Sequence, residues 1–342
     1  MKAARFHEYG DAGVLVYDDA PDPVAGPGEV VVRVRACGIN HVDVDMRNGS
    51  SRLPLELPHT LGMEFAGEIA ELGAGVVGWA VGDRVTPIFQ LHCDTCDMCK
   101  RGDHNHCRNL NMLGIQSPGG YAEYVTVPAW VLYRLPDSMS FDAAAATQTS
   151  FCSALHALRT RAGVREGDWV LINAAGSGVG TAGIQVVRHL GGRVIASART
   201  DEKLDRAKEL GAEVVVNYSR ENLTEAVLAA TGGRGVDVVF EFVGGEILRQ
   251  SIATLTTCGK LVCVGAHAGE VEPVDFIDLF RNEWSLIGSA RSTFGEIVES
   301  LDLVAQGKLT PVVHGVFPLA QAADAHRLME SRGHTGKILL AP

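Results

Sequence analysis

From Phe141 to Gly288 the chain alternates short apolar runs with helix-length amphipathic ones: AAAATQTSFCSALHAL, WVLIN, GTAGIQVVRHL, RVIASA, DEKLDRAKEL, EVVVN, VDVVFEF and GKLVCVG. Strands separated by segments of this length do not form hairpins. They cross over, and crossovers of this kind build a parallel sheet covered by helices. At one strand-to-helix junction, AAGSGVG sets Gly176, Ser177, Gly178, Val179 and Gly180 immediately before a helix. Glycines there let the backbone approach a pyrophosphate, and the helix start offers unpaired N–H groups and the positive end of a dipole. The turn does not fit G-x-G-x-x-G, since the register ending at Gly180 has Ala175 and Ser177 at its earlier positions. The reading as a dinucleotide site rests on the surrounding strands and helices.

The next strand, RVIASA, ends at Ala198, where NAD-binding folds place an acid on the ribose diol. Here Ala198 is followed by Arg199 and Thr200, with Lys203 one turn into the next helix. A carboxylate would repel a 2′-phosphate and these two cations would attract it, so NADPH is expected in preference to NADH.

The stretch from Met1 to about Leu135 has a different texture. VVVRVRACG, GMEFAGEIAELG, VGDRVTPIF and YAEYVTV are short β-segments punctuated by Gly and Pro, which predicts an all-β, barrel-like domain. After Gly288 two helical segments, EIVESLDLVAQG and AADAHRLMES, lead to a closing strand GKILL. At 342 residues the chain exceeds one ordinary core, so two domains are expected.

Within HCDTCDMCKRGDHNHC, Cys93, Cys96, Cys99 and Cys107 follow C-x2-C-x2-C-x7-C, a spacing that can close four thiolates around one zinc. Four protein ligands leave no position for substrate, so this zinc is structural. His92, His104 and His106 lie close by but are not needed for the cage. Cys37, Cys152, Cys258 and Cys263 are scattered, as reduced thiols inside a cell would be. No apolar run reaches the ~18 residues of a spanning helix, and MKAARFHEYG lacks a signal core, so a cytoplasmic location is expected. A formal net charge of -11 disfavours nucleic acid and anionic membranes as partners and leaves a small molecule.

Taken together, ACGINHVD, LGMEFAGEI, the four-cysteine lobe, GGYAEYVTVPA, AAGSGVG, VVNYS and HTGKILL resemble the medium-chain dehydrogenase/reductase superfamily over essentially the whole chain. The resemblance implies an α/β protein: a GroES-like β-barrel over 1–150 carrying the zinc lobe (93–107), a Rossmann NADP-binding domain over 151–287, and a C-terminal segment, 288–342, that completes the first domain. It implies an active site in the cleft between domains, and a homodimer or homotetramer formed by continuing the Rossmann sheet through the strand near LIGSA. Zinc alcohol dehydrogenases of this superfamily hold a second, catalytic zinc. Here the corresponding positions are Asn40, Met63 and Thr149, with Glu64 retained, and amide, thioether and hydroxyl are poor zinc donors. His41 and His59 could rebuild a metal site with Glu64.

Asn40 is similar to the amide position that faces substrate in zinc-free quinone and enone reductases. By the same likeness Lys203 and Tyr218 would grip the 2′-phosphate, and Gly265 would lie against the nicotinamide. The expected activity is therefore NADPH-dependent reduction of a conjugated C=C or a quinone. Asn40 would polarise the substrate oxygen, His41 would relay a proton and Asp43 would buttress the GINHVD turn; Gln90 is a further candidate lining residue. Two alternatives stay open: an alcohol dehydrogenase or ketone reductase, and an NADPH-binding protein without turnover.

Overall fold

The alternation in EVVVRVRACG becomes the strand Glu29–Gly38, whose Val30, Val32, Val34 and Ala36 are buried. It pairs antiparallel with Glu64–Leu72, Tyr124–Pro128 and Lys337–Ala341. Arg84–Pro87 and Leu132–Arg134 extend this sheet on one side, and Val313–Pro318 lies parallel to Lys337–Ala341 on the other. Lys2–Phe6, Val16–Asp19 and His59–Thr60 form a smaller sheet that the sequence reading did not anticipate. This computed structural model describes residues 1–51 and 53–342. Two compact units emerge, Met1–Thr149 with Thr293–Pro342, and Ser150–Ser292.

GINHVD, expected as a turn, instead opens the helix His41–Asn48. Asn40 is its N-cap, in extended conformation, and Gly49 ends it at φ 79°. The capping pattern Asn-x-x-Asp explains the difference: Asp43 accepts the Asn40 backbone N–H at 2.7 Å.

In the second unit six parallel strands lie in the order Val214–Asn217, Arg193–Ala198, Trp169–Ile172, Val236–Glu241, Leu255–Cys263 and Ser285–Gly288. The order reverses beside Trp169–Ile172, which makes a crevice at the carboxyl ends of the central strands. Val170, Leu171 and Ile172 are fully buried, as expected for a strand covered on both faces. The edge strand Ser285–Gly288 and the helix Phe276–Arg281 are the exception, leaving Phe276, Phe280 and Leu286 exposed. Among the described residues no helix is long and apolar enough to cross a membrane.

Candidate active site, zinc lobe and cofactor cradle

At the helix start Asp43 accepts the Asn40 backbone N–H, and the Asn40 side chain reaches Glu64 at the head of a neighbouring strand. Asn40 Nδ2 donates to Glu64 Oε1 at 3.1 Å. The Thr149 hydroxyl lies 2.5 Å from Glu64 Oε1 and 2.7 Å from Asn40 Oδ1, while the Thr149 backbone N–H donates to Glu64 Oε2 at 3.0 Å. The strand Lys337–Ala341 then brings in an ammonium. Lys337 Nζ donates to Asn40 Oδ1 at 2.6 Å and to the Ile39 carbonyl at 2.9 Å, and pairs directly with Glu64 Oε1. Gly38 makes room for this knot, since a Cβ there would stand 2.2 Å from the Ala145 carbonyl and 2.9 Å from the Glu64 side chain.

Glu64 is completely buried and Lys337 nearly so. A buried carboxylate and ammonium are tolerable only when paired and hydrogen-bonded, and here the ammonium faces four oxygens, those of Ile39, Asn40 and Glu64 and, at 3.4 Å, the Thr149 hydroxyl. The polar positions expected from sequence therefore do come together, but around Lys337, which the sequence reading treated only as part of a closing strand. A signal was present: a lone charge opening an otherwise apolar strand.

The other expected metal donors are engaged elsewhere. His59 Nε2 bonds the Gly114 carbonyl at 3.1 Å, and its ring stands edge-on to Phe6. His41 is the first residue of its helix and half-buried, and burial lowers its pKa. Among the described residues, His41, His59 and Glu64 do not form a metal-capable group. Asp43 is fully buried, and burial raises its carboxyl to about 7 despite bonds from the Asn40 and Gly62 amides. The Tyr121 hydroxyl bridges Asp43 Oδ2 at 3.3 Å and His326 Nε2 at 3.0 Å. Gln90 is buried at the start of the short strand Gln90–Leu91.

In the lobe, Cys96 begins the short helix Asp97–Lys100, and all four cysteine sulfurs converge. Their separations are 3.5 Å for Cys96 to Cys99, 3.9 Å for Cys96 to Cys107, and 3.5 Å for Cys107 to Cys93. A tetrahedron with zinc–sulfur bonds of about 2.3 Å has edges of about 3.8 Å, so the four sulfurs fit one zinc. The Cys93 and Cys99 backbone N–H groups point at Cys107 and Cys96 sulfurs, and the Thr95 hydroxyl at Cys93, which favours thiolates.

In the Ser150–Ser292 unit the glycine-rich turn follows Trp169–Ile172, with Ala174 in the left-handed region at φ 44°. Ser177 caps the helix Gly178–His189 by accepting the Gly180 N–H at 3.0 Å. A Cβ at Gly180 would lie 2.5 Å from the Ala174 carbonyl, and one at Gly176 would lie 2.6 Å from the Lys203 methylenes. The turn is thus an open cradle at a helix N-terminus, crossed on one side by Lys203, and it fits a dinucleotide pyrophosphate. Ala198 and Asn217 are paired in adjacent strands, so Arg199 and Tyr218 leave the sheet side by side. Asp201, an acid that the sequence reading did not weigh, is held by Arg220 at 2.7 Å and by Asn217 at 2.9 Å. Gly265 lies just past the end of Leu255–Cys263, with room for a Cβ only in tight contact, 3.2 Å, with His267.

Sequence reading also missed Glu241 and Asn173 at the carboxyl ends of the two central strands. Glu241 is fully buried, pairs with the Asn173 amide, and accepts the Val243 and Gly244 N–H groups at 2.5 and 2.8 Å. It pins the loop beside the crevice, and its signal was a charge inside the apolar run VDVVFEF.

A crevice at the reversal point of a parallel sheet, a glycine cradle and a β unit whose four cysteines fit a structural zinc point to a dinucleotide-dependent oxidoreductase. The comparisons agree. Residues 26–137 match the alcohol dehydrogenase GroES-like domain and residues 178–306 match the zinc-binding dehydrogenase domain. The chain is 33% identical to a NAD-dependent alcohol dehydrogenase of Sulfolobus acidocaldarius, covering 99% of each. It is 30% identical to a quinone oxidoreductase of Sus scrofa, covering 99% of this chain and 97% of that one. A crystal structure of an NAD-dependent alcohol dehydrogenase superposes with a TM-score of 0.96 at 39% identity over all of both chains. The chain belongs to the medium-chain dehydrogenase/reductase superfamily and is an NAD(P)H-dependent oxidoreductase.

Proposed function

We propose that the protein is an NADPH-dependent reductase of conjugated enones or quinones that works without a catalytic zinc. The observation that carries this reading is the knot around Lys337. Its donors are oxygens already satisfied by an ammonium, and a metal would have to displace Lys337 from Glu64, Asn40 and Ile39 together. Without a Lewis acid, hydrogen-bond donors have to carry the developing negative charge, and that load is smallest when the charge is spread over the substrate, as in an enolate or a phenolate.

NADPH, when bound, supplies the hydride. Asn40 donates one amide N–H to Glu64, and the other serves the substrate oxygen. One such donor in a dry site contributes about 3 kcal/mol to the transition state. The reduced substrate then takes its proton from water or through His41. Arg199, Lys203 and Tyr218 hold the 2′-phosphate, and Gly176, Ser177, Gly178, Val179 and Gly180 frame the pyrophosphate. Two chains associate through the exposed Ser285–Gly288 edge, where Phe276, Phe280 and Leu286 would be covered.

The test is NADPH and NADH oxidation against a conjugated enone, a quinone and an isolated ketone, with and without a chelator. Chelator-insensitive turnover of the enone or quinone with NADPH is expected. Turnover confined to ketones or alcohols and abolished by the chelator would replace this reading with a zinc alcohol dehydrogenase.

A further inference from the structure

The zinc lobe carries a second group of ligand atoms that its four cysteines do not use. His92 Nε2 lies 3.2 Å from Asp94 Oδ1, His104 Nε2 lies 3.4 Å from the same oxygen, and the three atoms fall within 4.8 Å of one another. Neighbouring ligands on a cation with bonds of about 2.1 Å stand about 3.0 to 3.4 Å apart at angles between square and tetrahedral. We propose that His92, Asp94 and His104 form a second, exchangeable site for a borderline divalent metal such as zinc, cobalt or nickel, separate from the thiolate cage.

The fold prepares these residues. The His92 ring stands edge-on to Trp130 at 4.8 Å, and Trp130 stacks on Phe294 at 26° between planes. Asp94 is held in the left-handed region at φ 57°, between His92 and the first turn of the cage. His104 opens the short helix His104–His106, which follows the Asp97–Lys100 helix in the chain, and its ring centroid comes within 4.4 Å of that of His92. Closing the cage therefore also closes this triad. Electrostatics act in the same direction, because four thiolates on one Zn²⁺ leave a net negative cluster beside the site. Asp94 is 70% exposed, so positions facing solvent stay open to water and the metal can exchange. Two imidazoles with one carboxylate suit zinc, cobalt and nickel better than magnesium or calcium.

The experiment uses the full chain with zinc in the thiolate cage. Labile metal is removed by a mild chelator, Co²⁺ is added, and bound metal per chain is counted by elemental analysis alongside the visible spectrum. One further equivalent of cobalt is expected, with d–d bands but no thiolate charge-transfer band. His104→Gln and Asp94→Asn should lose that equivalent while keeping the cage zinc. Uptake of no extra cobalt by the parent protein, or retention of the extra equivalent by both variants, would overturn the proposal. The result is independent of the reductase reading, because neither variant touches the Asn40, Glu64 and Lys337 knot.

Discussion

Lys337 Nζ stands 2.6 Å from Asn40 Oδ1 and also neutralises Glu64, so one lysine sets the orientation of the amide and the charge of its surroundings. The alcohol dehydrogenase pattern needs donors converging on a metal at these positions. This chain has the convergence, with the cation covalently built in.

Lys337→Met should be strongly destabilising, because it leaves the Glu64 carboxylate buried without a counter-charge. The expected loss is about 3–5 kcal/mol, read from denaturant unfolding. Adding Glu64→Met should recover part of that loss, since a paired apolar replacement removes the orphaned charge. A double variant no better than the sum of the single ones would show that the two residues are not coupled.

Cys99→Ser should release the lobe zinc, lowering bound metal by one equivalent and reducing thermal stability. Cobalt substituted into the parent cage should show an intense thiolate charge-transfer band that the variant lacks. An unchanged band would mean that the sulfurs gathered at 3.5 to 3.9 Å do not hold the metal.

Lys203→Ala should raise the KM for NADPH by roughly 10-fold to 100-fold, the loss expected when a charge-assisted contact of about 1.5–3 kcal/mol is removed. The KM for NADH should change little. Arg199→Ala should act in the same direction. Equal effects on both cofactors would place these cations away from the 2′-phosphate.

Burial holds the Asp43 carboxyl at about 7, whereas in an unfolded chain it titrates near about 3.9. Between those values the folded protein keeps a proton that the unfolded chain has released, so this group's contribution is fully present at low pH and is lost as pH rises toward 7. His326 works in the opposite sense, because burial and the Arg47 charge push it down to about 3 and its contribution is lost as pH falls below about 6.5. Asp43→Asn removes the first effect and leaves the second. The difference in unfolding free energy between parent and variant should therefore shift across pH 4 to 7, and a constant difference would mean that Asp43 is ionised throughout.

The parallel sheet was legible because its strands are apolar runs separated by amphipathic segments, and the lobe because four cysteines keep a metal spacing. Two things were hidden for different reasons. The helix at His41–Asn48 is short and carries His41, Asp43, Asp45 and Arg47, so it has little apolar periodicity and only its Asn-x-x-Asp cap announces it. In the knot, the resemblance had already grouped Asn40, Glu64 and Thr149, whereas the arrival of Lys337 depends on the pairing of the closing strand with Glu29–Gly38, which local sequence does not encode. Lys337 and Glu241 share one readable trait, a charge within an apolar strand, and both are buried and paired.

The partner of Glu64 lies 273 positions further along the chain. At roughly 5–20 residues per second, a ribosome delivers Lys337 some tens of seconds after Glu64 has emerged. Through that interval the first sheet is without its strands Val313–Pro318 and Lys337–Ala341, and Glu64 is without its ammonium partner. The sequence thus imposes an order of assembly: Ser150–Ser292 is available in full before the first unit can complete its sheet and pair Glu64 with Lys337.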